Sequence, residues 1–383
     1  MRPTDEAELA EAIASATGPL EIIGGGSRAG FGRPVEGVPL ETGALSGVSV
    51  YEPGALSLVA GAGTPLAEVE ALIAAENQRF AFEPMDMRPL LGTSGAPTVG
   101  GMAAAGLAGP RRVQAGAVRD AMLGVRFVDG AGRVIKNGGR VMKNVTGYDL
   151  VKLLAGSHGT LGVLTEISFK LSPMPEAMAT LRIDGLDDSG AVAAMSAALG
   201  SPYDVTGAAH LPGQGTFVRI EGLDGSVAYR RDRLRELLCV HGAVDDVDGD
   251  GPWADIRDVS AFAGREGAVW RLSMRPSSAP GVVARIAARR SAEVQYDWGG
   301  GLVWLLTPGA GDAGAAVIRE ELGAAGHATL VRAPEPVRAA TPVFQPEPAP
   351  LAALSAGLRA KFDPRGILNP GRMTPAELHA GAA

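Results

Sequence analysis

Glycine, serine and arginine are concentrated in one short stretch, which reads Ile-Ile-Gly-Gly-Gly-Ser-Arg-Ala-Gly-Phe-Gly over residues 22–32. Glycine allows positive φ angles and lets backbone N–H groups come close to an anion. Ser27 adds a hydroxyl donor to such a loop. The stretch therefore suggests a cradle for the phosphates of a nucleotide. A plain tight turn fits it equally well, because the chain contains 54 glycines.

A second run of small residues covers 92–106 and reads Gly-Thr-Ser-Gly-Ala-Pro-Thr-Val-Gly-Gly-Met-Ala-Ala-Ala-Gly. Its side chains are too small to pack extensively with one another. Two interpretations remain open: a helix packed closely against a sheet, or a flat backbone surface that contacts a large ligand.

Cysteine and histidine offer little for redox or metal chemistry. Cys239 is the single cysteine, which excludes an internal disulfide and an iron–sulfur cluster held within this chain. A metal site needs convergent ligands, and the five histidines are isolated in sequence. We therefore expect no metal site. The histidines are His158, His210, His241, His327 and His379.

Composition limits the class of protein. The 383 residues are 46% hydrophobic and 20% charged, with a net charge of −7, which is typical of a globular chain with two or so domains. Nucleic acid and anionic membrane surfaces are unexpected partners, because both require clustered Lys and Arg. The acidic N-terminus does not resemble a signal peptide, and no apolar run is long enough to cross a bilayer. We expect a cytoplasmic protein.

The elements around the glycine loop exclude one nucleotide-binding arrangement. A helix after Thr4 and a strand at Leu20–Ile23 precede the loop, but breakers at Pro34 and Pro39 prevent a helix directly after it. A Rossmann fingerprint requires that helix. Short strands at 38–42, 48–51 and 56–60 follow instead, so we expect the nucleotide to be held by a loop between strands.

Further along, Thr64 and Pro65 predict the start of a helix, with Thr64 as its N-cap. Pro173 and Pro175 end the first part of the chain, and residues 176–332 alternate strands with longer helices, which favours a mainly antiparallel α/β module. Further predicted elements are a hairpin at 122–136, a short helix at 148–154, a strand at 163–171 and an amphipathic helix at 351–362. The division is therefore 1–175, 176–332 and a Pro-rich connection with a C-terminal helix at 333–383.

Taken in order, four segments resemble the flavoproteins that share the FAD-binding domain of vanillyl-alcohol oxidase and p-cresol methylhydroxylase (PCMH). They are IIGGGSR at 22–28, GAPTVGGMAAAGLAGPRR at 95–112, the segment from VRDAML to KLSP at 118–173, and FDPRGILNPGRM at 362–373. The resemblance implies an α+β fold, with a PCMH-type two-part FAD-binding domain, an α/β cap domain with a mainly antiparallel sheet, and a C-terminal helix that returns to the FAD domain.

Within that family the chain is similar to the smaller FAD-binding subunits of bacterial glycolate oxidases, or glycolate dehydrogenases. The similarity rests on GPRR at 109–112, VMKNVTGYD at 141–149, VWRLSM at 269–274 and YDWGGGLVWL at 296–305. It implies two partners, a larger catalytic FAD-binding subunit and an iron–sulfur subunit that receives electrons. Association with the inner membrane would then occur through those partners.

The resemblance also implies the cofactor residues. The glycine loop would hold the FAD pyrophosphate, a second group would line the flavin, Gly162 and Val163 would present backbone to the adenine side, and Asn369 would return to the isoalloxazine region. No histidine lies in the glycine loop, so we expect noncovalent FAD, with its pyrophosphate held mainly by amides and hydroxyls. The loop residues are Gly24, Gly25, Gly26, Ser27 and Arg28, and the flavin group is Thr98, Gly100, Gly101 and Ala104.

Catalysis is less well indicated. Relatives that oxidise D-2-hydroxy acids carry a Gly-His-x-x-Asp-Gly-Asn type of segment that is absent here, and His158 stands where relatives usually have Glu, which we interpret as a turn substitution. A hydroxy acid needs a cation for its carboxylate, a role that suits arginine. The candidates are Arg111, Arg112, Arg119, Arg257 and Arg271. No general base is evident.

Three functions fit the sequence. The first is the FAD-binding subunit of a glycolate oxidase complex, which supports oxidation of glycolate to glyoxylate. The second is a self-sufficient FAD-dependent oxidoreductase of another 2-hydroxy acid or alcohol. The third is a non-catalytic structural subunit with a PCMH-type fold. A visible spectrum of the purified chain separates the first two from the third.

Overall fold

The computed structural model describes residues 1–140 and 147–374. Residues 141–146 of the VMKNVTGYD segment and His379 lie outside this range. The helices are α1 Glu6–Ser15, α2 Leu66–Ala74, α3 Arg88–Leu91, α4 Val99–Ala105, α5 Arg112–Ala115, α6 Val118–Ala121, α7 Leu150–Leu154, α8 Asp188–Leu199, α9 Asp224–Leu238, α10 Trp253–Asp258, α11 Ala279–Arg289, α12 Ala315–Leu322, α13 Glu335–Ala340 and α14 Ala349–Phe362.

Seventeen strands are found in the described residues. They are β1 Leu20–Ile23, β2 Val38–Glu41, β3 Val48–Glu52, β4 Ser57–Gly61, β5 Gln78–Arg79, β6 Met122–Val128, β7 Val134–Gly138, β8 Val163–Lys170, β9 Ser172–Pro173, β10 Ala177–Ile183, β11 Val205–Leu211, β12 Gly215–Gly222, β13 Val244–Val247, β14 Ala268–Met274, β15 Glu293–Asp297, β16 Leu302–Thr307 and β17 Gly326–Arg332. Short 3-10 turns connect some of them.

The chain forms two compact units. Unit 1 comprises residues 1–107, 117–174 and 342–383, and unit 2 comprises residues 108–116 and 175–341. The sequence-based division placed residues 108–116 in the first domain and 333–341 in the C-terminal segment, whereas both belong to unit 2.

Unit 1 contains a parallel pair, β1 and β2, and a five-stranded antiparallel sheet in the order β3-β4-β8-β6-β7. Helix α1 begins after Asp5, whose carboxylate accepts a hydrogen bond from the Glu8 N–H at 2.8 Å. Leu9 and Ile13, one helical turn apart, are fully buried in a cluster with residues of β1, β2, β6, β8 and the C-terminal segment. This core fixes β1 and therefore the start of the glycine loop.

The C-terminal segment is held against unit 1 by one arginine. The Arg365 guanidinium donates to the carbonyl oxygens of Ala14 at 3.1 Å and Ala16 at 3.0 Å, where α1 ends, and to that of Gly130. These bonds satisfy carbonyl groups left open at the helix C-terminus. Leu368 then pairs with Leu20 in a parallel bridge, which brings Asn369 next to β1.

Unit 2 is built on an eight-stranded sheet in the order β13-β10-β12-β11-β15-β16-β14-β17, and every pairing in it is antiparallel. The predicted antiparallel sheet is therefore confirmed. The strands β11, β13, β15 and β17 were not predicted. In β11 every residue is buried, so its sequence lacks the alternation by which a half-buried strand is recognised.

Two local predictions need correction. Helix α2 begins at Leu66 with Pro65 as its cap, and Thr64 is not the N-cap because its hydroxyl donates to the Gly61 carbonyl at 2.7 Å and closes the preceding turn. The predicted amphipathic helix near the C-terminus is α14, but no residue of it is buried, and Leu351, Leu354 and Leu358 are exposed. Within the described residues, no helix combines the length and apolarity needed to cross a membrane.

Candidate functional site

The glycine loop of unit 1 lies directly against residues 95–96. Gly26 and Ala96 form a parallel bridge, and a Cβ on Gly25 would overlap the Ala96 carbonyl oxygen. A Cβ on Gly95 would likewise overlap the Gly25 carbonyl oxygen. Gly26 itself has φ +74, a conformation that glycine adopts without steric cost. The two small-residue runs of the sequence therefore fold into a single double-layered loop.

Helix α4 begins beside that loop. The Thr98 hydroxyl caps the helix by accepting the Gly101 N–H at 3.2 Å, and a Cβ on Gly24 would lie 2.7 Å from the same oxygen. The N–H of Gly100 donates to the Ala62 carbonyl at 2.7 Å. Because protein groups already occupy these amides, α4 serves as a wall of small residues.

A cleft with an empty volume of about 440 Å³ opens between the loop, α4 and the start of β8. Its lining joins residues that are more than 300 positions apart in sequence. The lining residues are Ile22, Gly24, Thr42, Ala62, Gly100, Gly101, Ala104, His158, Gly159, Gly162, Val163, Leu164 and Asn369.

Seven of these lining residues are among the cofactor-binding residues expected from the sequence: Gly24, Gly100, Gly101, Ala104, Gly162, Val163 and Asn369. The other five, Gly25, Gly26, Ser27, Arg28 and Thr98, lie in the adjoining loop or at the cap of α4. The lining residues Ile22, Thr42, Ala62, Gly159 and Leu164 were not expected, because single residues of these types carry no signal of ligand binding in a sequence.

Arg28 places a buried positive charge beside the loop. Its Nη1 is 3.5 Å from the Ser27 hydroxyl and its Nη2 is 3.5 Å from the Met85 carbonyl. The Nε atom is buried without a hydrogen-bond partner among the described residues. Burial lowers the pKa of Arg28 to about 10, against the opposing effect of Asp86, so the side chain remains cationic at neutral pH. The expectation that amides and hydroxyls mainly hold the pyrophosphate did not include this charge.

Asn369 fastens two walls of the cleft together. Its Oδ1 accepts the Ile22 N–H at 2.8 Å, and its Nδ2 donates to the His158 carbonyl at 2.8 Å. The residue has φ +44 and is 4% exposed. Asparagine tolerates this left-handed conformation better than most residues. The Asn369 amide thus connects the strand before the glycine loop with the loop before β8.

His158 lines the cleft with a neutral ring. The imidazole makes edge contacts with Phe31 and Phe344, at ring-centroid distances of 5.0 and 4.9 Å. Burial, reinforced by the charges of Arg372 and Arg28, lowers the pKa of His158 to about 3. Its φ of +50 agrees with the expected turn. The residue therefore contributes a flat polar surface without a charge.

The cleft has the features that FAD requires. Glycines hold the backbone where side chains would collide, and a guanidinium lies beside the loop. Next in sequence to the lining residue His158, the Ser157 hydroxyl is buried without a hydrogen-bond partner in the described part of the chain. Such an orphaned donor is costly unless a ligand or water satisfies it.

The candidate arginines separate into two groups. Arg111 forms a buried ion pair with Glu221, Nε to Oε2 at 3.2 Å, while Arg119 and Arg257 are paired with neighbouring Asp120 and Asp258. Arg112 and Arg271, by contrast, both lie over the Trp298 ring, with their Cζ atoms 4.7 and 5.2 Å from its centroid. All but Arg119 belong to unit 2.

Histidine does not form a metal centre in the described residues. His210 is buried in unit 2, with Nδ1 2.9 Å from the Thr216 hydroxyl and Nε2 3.7 Å from Asp188. No group of three or more His, Cys, Asp or Glu side chains gathers in residues 1–140 and 147–374 in a way that could hold a metal. The expectation of no metal site stays a prediction.

Comparison with known proteins extends these observations. Residues 1–138 match the family model of an FAD binding domain. The chain is 37% identical over 367 residues to the glycolate oxidase subunit GlcE of Escherichia coli strain K12, covering 96% of this chain and 95% of that one. It is also 34% identical over 167 residues to a D-lactate dehydrogenase of Archaeoglobus fulgidus, covering 43% of this chain and 36% of the relative.

The fold agrees with a solved structure. That of alkyldihydroxyacetonephosphate synthase superposes with a TM-score of 0.71 over 97% of this chain and 75% of the other, at 14% identity. The expected PCMH-type architecture with a mainly antiparallel second sheet is confirmed, and FAD is its cofactor. The chain therefore belongs to the family of the glycolate oxidase subunit GlcE, a family of FAD-binding oxidoreductase subunits.

Proposed function

We propose that this chain is the FAD-binding subunit of a glycolate oxidase complex and supports oxidation of glycolate to glyoxylate. The similarity to GlcE over 96% of the chain supports this function. The observation that carries it is the cleft of unit 1, where the start of the double-layered glycine loop, the α4 wall and Asn369 converge.

Within that cleft each group of residues has a distinct task. The loop Gly24–Ser27 and the Arg28 guanidinium hold the pyrophosphate, which guanidinium groups bind strongly. Gly100, Gly101 and Ala104 form the surface against the flavin, and the backbone of Gly162 and Val163 faces the adenine. Attachment is noncovalent in this proposal, since the glycine loop contains no histidine. Bound FAD supplies hydride acceptance from a substrate carbon.

Electrons must then leave the chain. Oxidation of glycolate to glyoxylate releases two electrons, and a chain with a single cysteine has too few thiolates for an iron–sulfur cluster. We therefore include two partners, a larger FAD-binding catalytic subunit and an iron–sulfur subunit. A cytoplasmic location at the inner membrane, reached through these partners, belongs to the same proposal and is checked by cell fractionation.

Two measurements test the proposal. The chain is first purified alone, and its visible spectrum and flavin-to-protein ratio are recorded. We expect the spectrum of a bound flavin, and we expect trichloroacetic acid to release that flavin into the supernatant. A colourless chain that cannot be reconstituted with FAD would favour the structural-subunit alternative, and flavin that stays with the precipitate would refute noncovalent binding.

The second measurement adds glycolate anaerobically, to the chain alone and to the chain co-purified with both partners. We expect bleaching of the flavin in the complex and electron delivery to the iron–sulfur subunit. Rapid bleaching of the isolated chain by glycolate would support the self-sufficient oxidoreductase instead. No bleaching in a complex with full flavin occupancy would refute the glycolate assignment.

A further inference from the structure

We propose that Arg112, Arg271 and Trp298 in unit 2 form a binding site for a small carboxylate, of the 2-hydroxy or 2-oxo acid class. The inference rests on the proposed function, because it assigns recognition of the hydroxy acid to this chain as well as to its partner. It concerns residues of unit 2 alone.

Trp298 forms a rigid floor for this site. Its indole N–H donates to the Gly109 carbonyl at 3.0 Å, and its backbone N–H donates to the Asp297 carboxylate at 2.7 Å. Trp298 has φ +52, and Gly299 and Gly300 follow at +66 and +100. A bulky residue in the left-handed region is strained, and such strain concentrates at functional sites.

Two guanidinium groups lie over the Trp298 indole ring. Their Cζ atoms lie 4.7 Å (Arg112) and 5.2 Å (Arg271) from the ring centroid, which is within the range of cation–π attraction. Segment 108–116 supplies Arg112, and strand β14 supplies Arg271. The two positive charges repel each other, and an anion bound between them would relieve that repulsion.

Arg271 is the more informative of the two. It makes no hydrogen bond or ion pair within residues 1–140 and 147–374, although its side chain is mostly buried. Burial, together with the charge of Arg112, lowers the pKa of Arg271 to about 10, and Asp297 opposes this effect. A guanidinium held without a hydrogen-bond acceptor retains five donors for a ligand. Its planar fork matches a carboxylate.

His327 supplies a neutral group at the edge of the site. In the antiparallel pairing of β14 and β17, Arg271 lies opposite Thr329 and Ser273 lies opposite His327, so Arg271 and His327 are diagonal neighbours on one face. The His327 side chain is exposed, and desolvation together with the charges of Arg271 and Arg112 lowers its pKa. A neutral imidazole can accept a hydrogen bond from a substrate hydroxyl, which favours a hydroxy acid over a simple anion.

The test measures binding of glycolate to the FAD-loaded chain by calorimetry in chloride-free buffer. We expect Arg271→Met to weaken binding at least about tenfold, which is the effect of losing a charge-assisted hydrogen bond, and Arg271→Lys to weaken it less. Arg233→Met, which removes an exposed arginine paired with Glu236, is the control and should bind like the wild type.

Several outcomes would overturn the site. Equal glycolate affinity in wild type and Arg271→Met would do so, as would phosphate binding as tightly as glycolate, which indicates a general anion site. If circular dichroism shows that Arg271→Met does not fold, the glycolate affinities of Arg112→Met and Arg271→Lys are compared with that of the wild type instead. Flavin content keeps the two proposals separate: a chain that lacks FAD but binds glycolate through Arg271 refutes only the proposed function, and a yellow chain that does not bind glycolate refutes only this site.

Discussion

Arg111 and Glu221 form an ion pair of 3.2 Å whose side chains are only 8% and 3% exposed. Glu221 also lies 3.6 Å from Arg219, whose guanidinium stacks on Trp253 at 4.6 Å. One carboxylate thus compensates two buried guanidinium groups and attaches segment 108–116 to the sheet of unit 2. Arg111 is therefore held by an ion pair, and its role in substrate binding stays a prediction.

Replacing that carboxylate should destabilise the protein strongly. Glu221→Gln removes the negative charge that both Arg111 and Arg219 approach, and breaking a buried ion pair in this way typically costs about 3–5 kcal/mol. Urea unfolding followed by circular dichroism measures the loss. The control is Glu236→Gln on the exposed face of α9, where the midpoint should hardly move. Similar unfolding midpoints for the two variants would contradict a stabilising role for the ion pair between Arg111 and Glu221.

The close approach of the loop layers predicts that Gly25→Ala abolishes FAD binding. The added Cβ would overlap the Ala96 carbonyl oxygen, which is backbone and cannot rotate away. We expect the flavin-to-protein ratio of the purified variant to fall at least about tenfold, because the clash must be relieved before the loop can hold the cofactor. Gly18→Ala, where nothing lies within 4 Å of the added atom, should retain full flavin content. A yellow Gly25→Ala protein would show that the loop can open without cost.

The effect of the α4 cap on FAD binding can be tested by comparison with the cap of α8, which also accepts a backbone N–H through a side-chain oxygen. Thr98→Ala removes the acceptor for the Gly101 N–H, and Asp187→Ala removes the acceptor for the Gly190 N–H at the start of α8, 2.7 Å away. Each should reduce the free energy of unfolding by about 1 kcal/mol. Only Thr98→Ala should also weaken FAD binding, measured by titration of the apoprotein. Equal FAD affinity in the two variants would argue against α4 as a cofactor wall.

His158 should make the stability of the apoprotein depend on pH. Its pKa falls from 6.5 to about 3 on folding, so between these values the unfolded chain binds a proton that the folded chain does not. The free energy of unfolding therefore decreases as the pH falls, by up to about 1.4 kcal/mol per pH unit from this residue.

The variant His158→Asn removes this titration while keeping a residue that accepts positive φ. Unfolding of wild type and variant at pH 7, 6 and 5 measures the difference. The curve of the variant should be flatter between pH 6.5 and 5. Parallel curves would mean that His158 is solvated in the folded protein.

Much of the architecture could be predicted from the sequence, because strands and turns depend on patterns of neighbouring residues. Apolar alternation and breakers located most strands of unit 1, and the absence of a helix after Gly32 excluded the Rossmann arrangement. The fully buried β11 was missed because burial on both faces leaves no alternation. The cap of α2 was misplaced because a tertiary turn uses the Thr64 hydroxyl.

The candidate site, too, was predicted in part from the sequence, and the rest depends on tertiary contacts. Motif order predicted Gly24, Gly100, Gly162 and Asn369, and these residues meet in one cleft. The sequence could not show that the Asn369 amide is already bonded to Ile22 and His158, or that Arg28 is buried beside the loop. Both facts depend on how distant segments pack.

For this protein the sequence by itself indicated the class of cofactor through the resemblance of four segments to a family of FAD-binding proteins, and the kinds of sheet through apolar periodicity, which acts within a few residues. Only the tertiary structure decided which groups the arginines contact. Arg111 and Arg112 are neighbours in sequence, yet one is neutralised by Glu221 and the other lies over Trp298 with Arg271. Charge compensation is set by contacts between residues far apart in the chain, which no local pattern records.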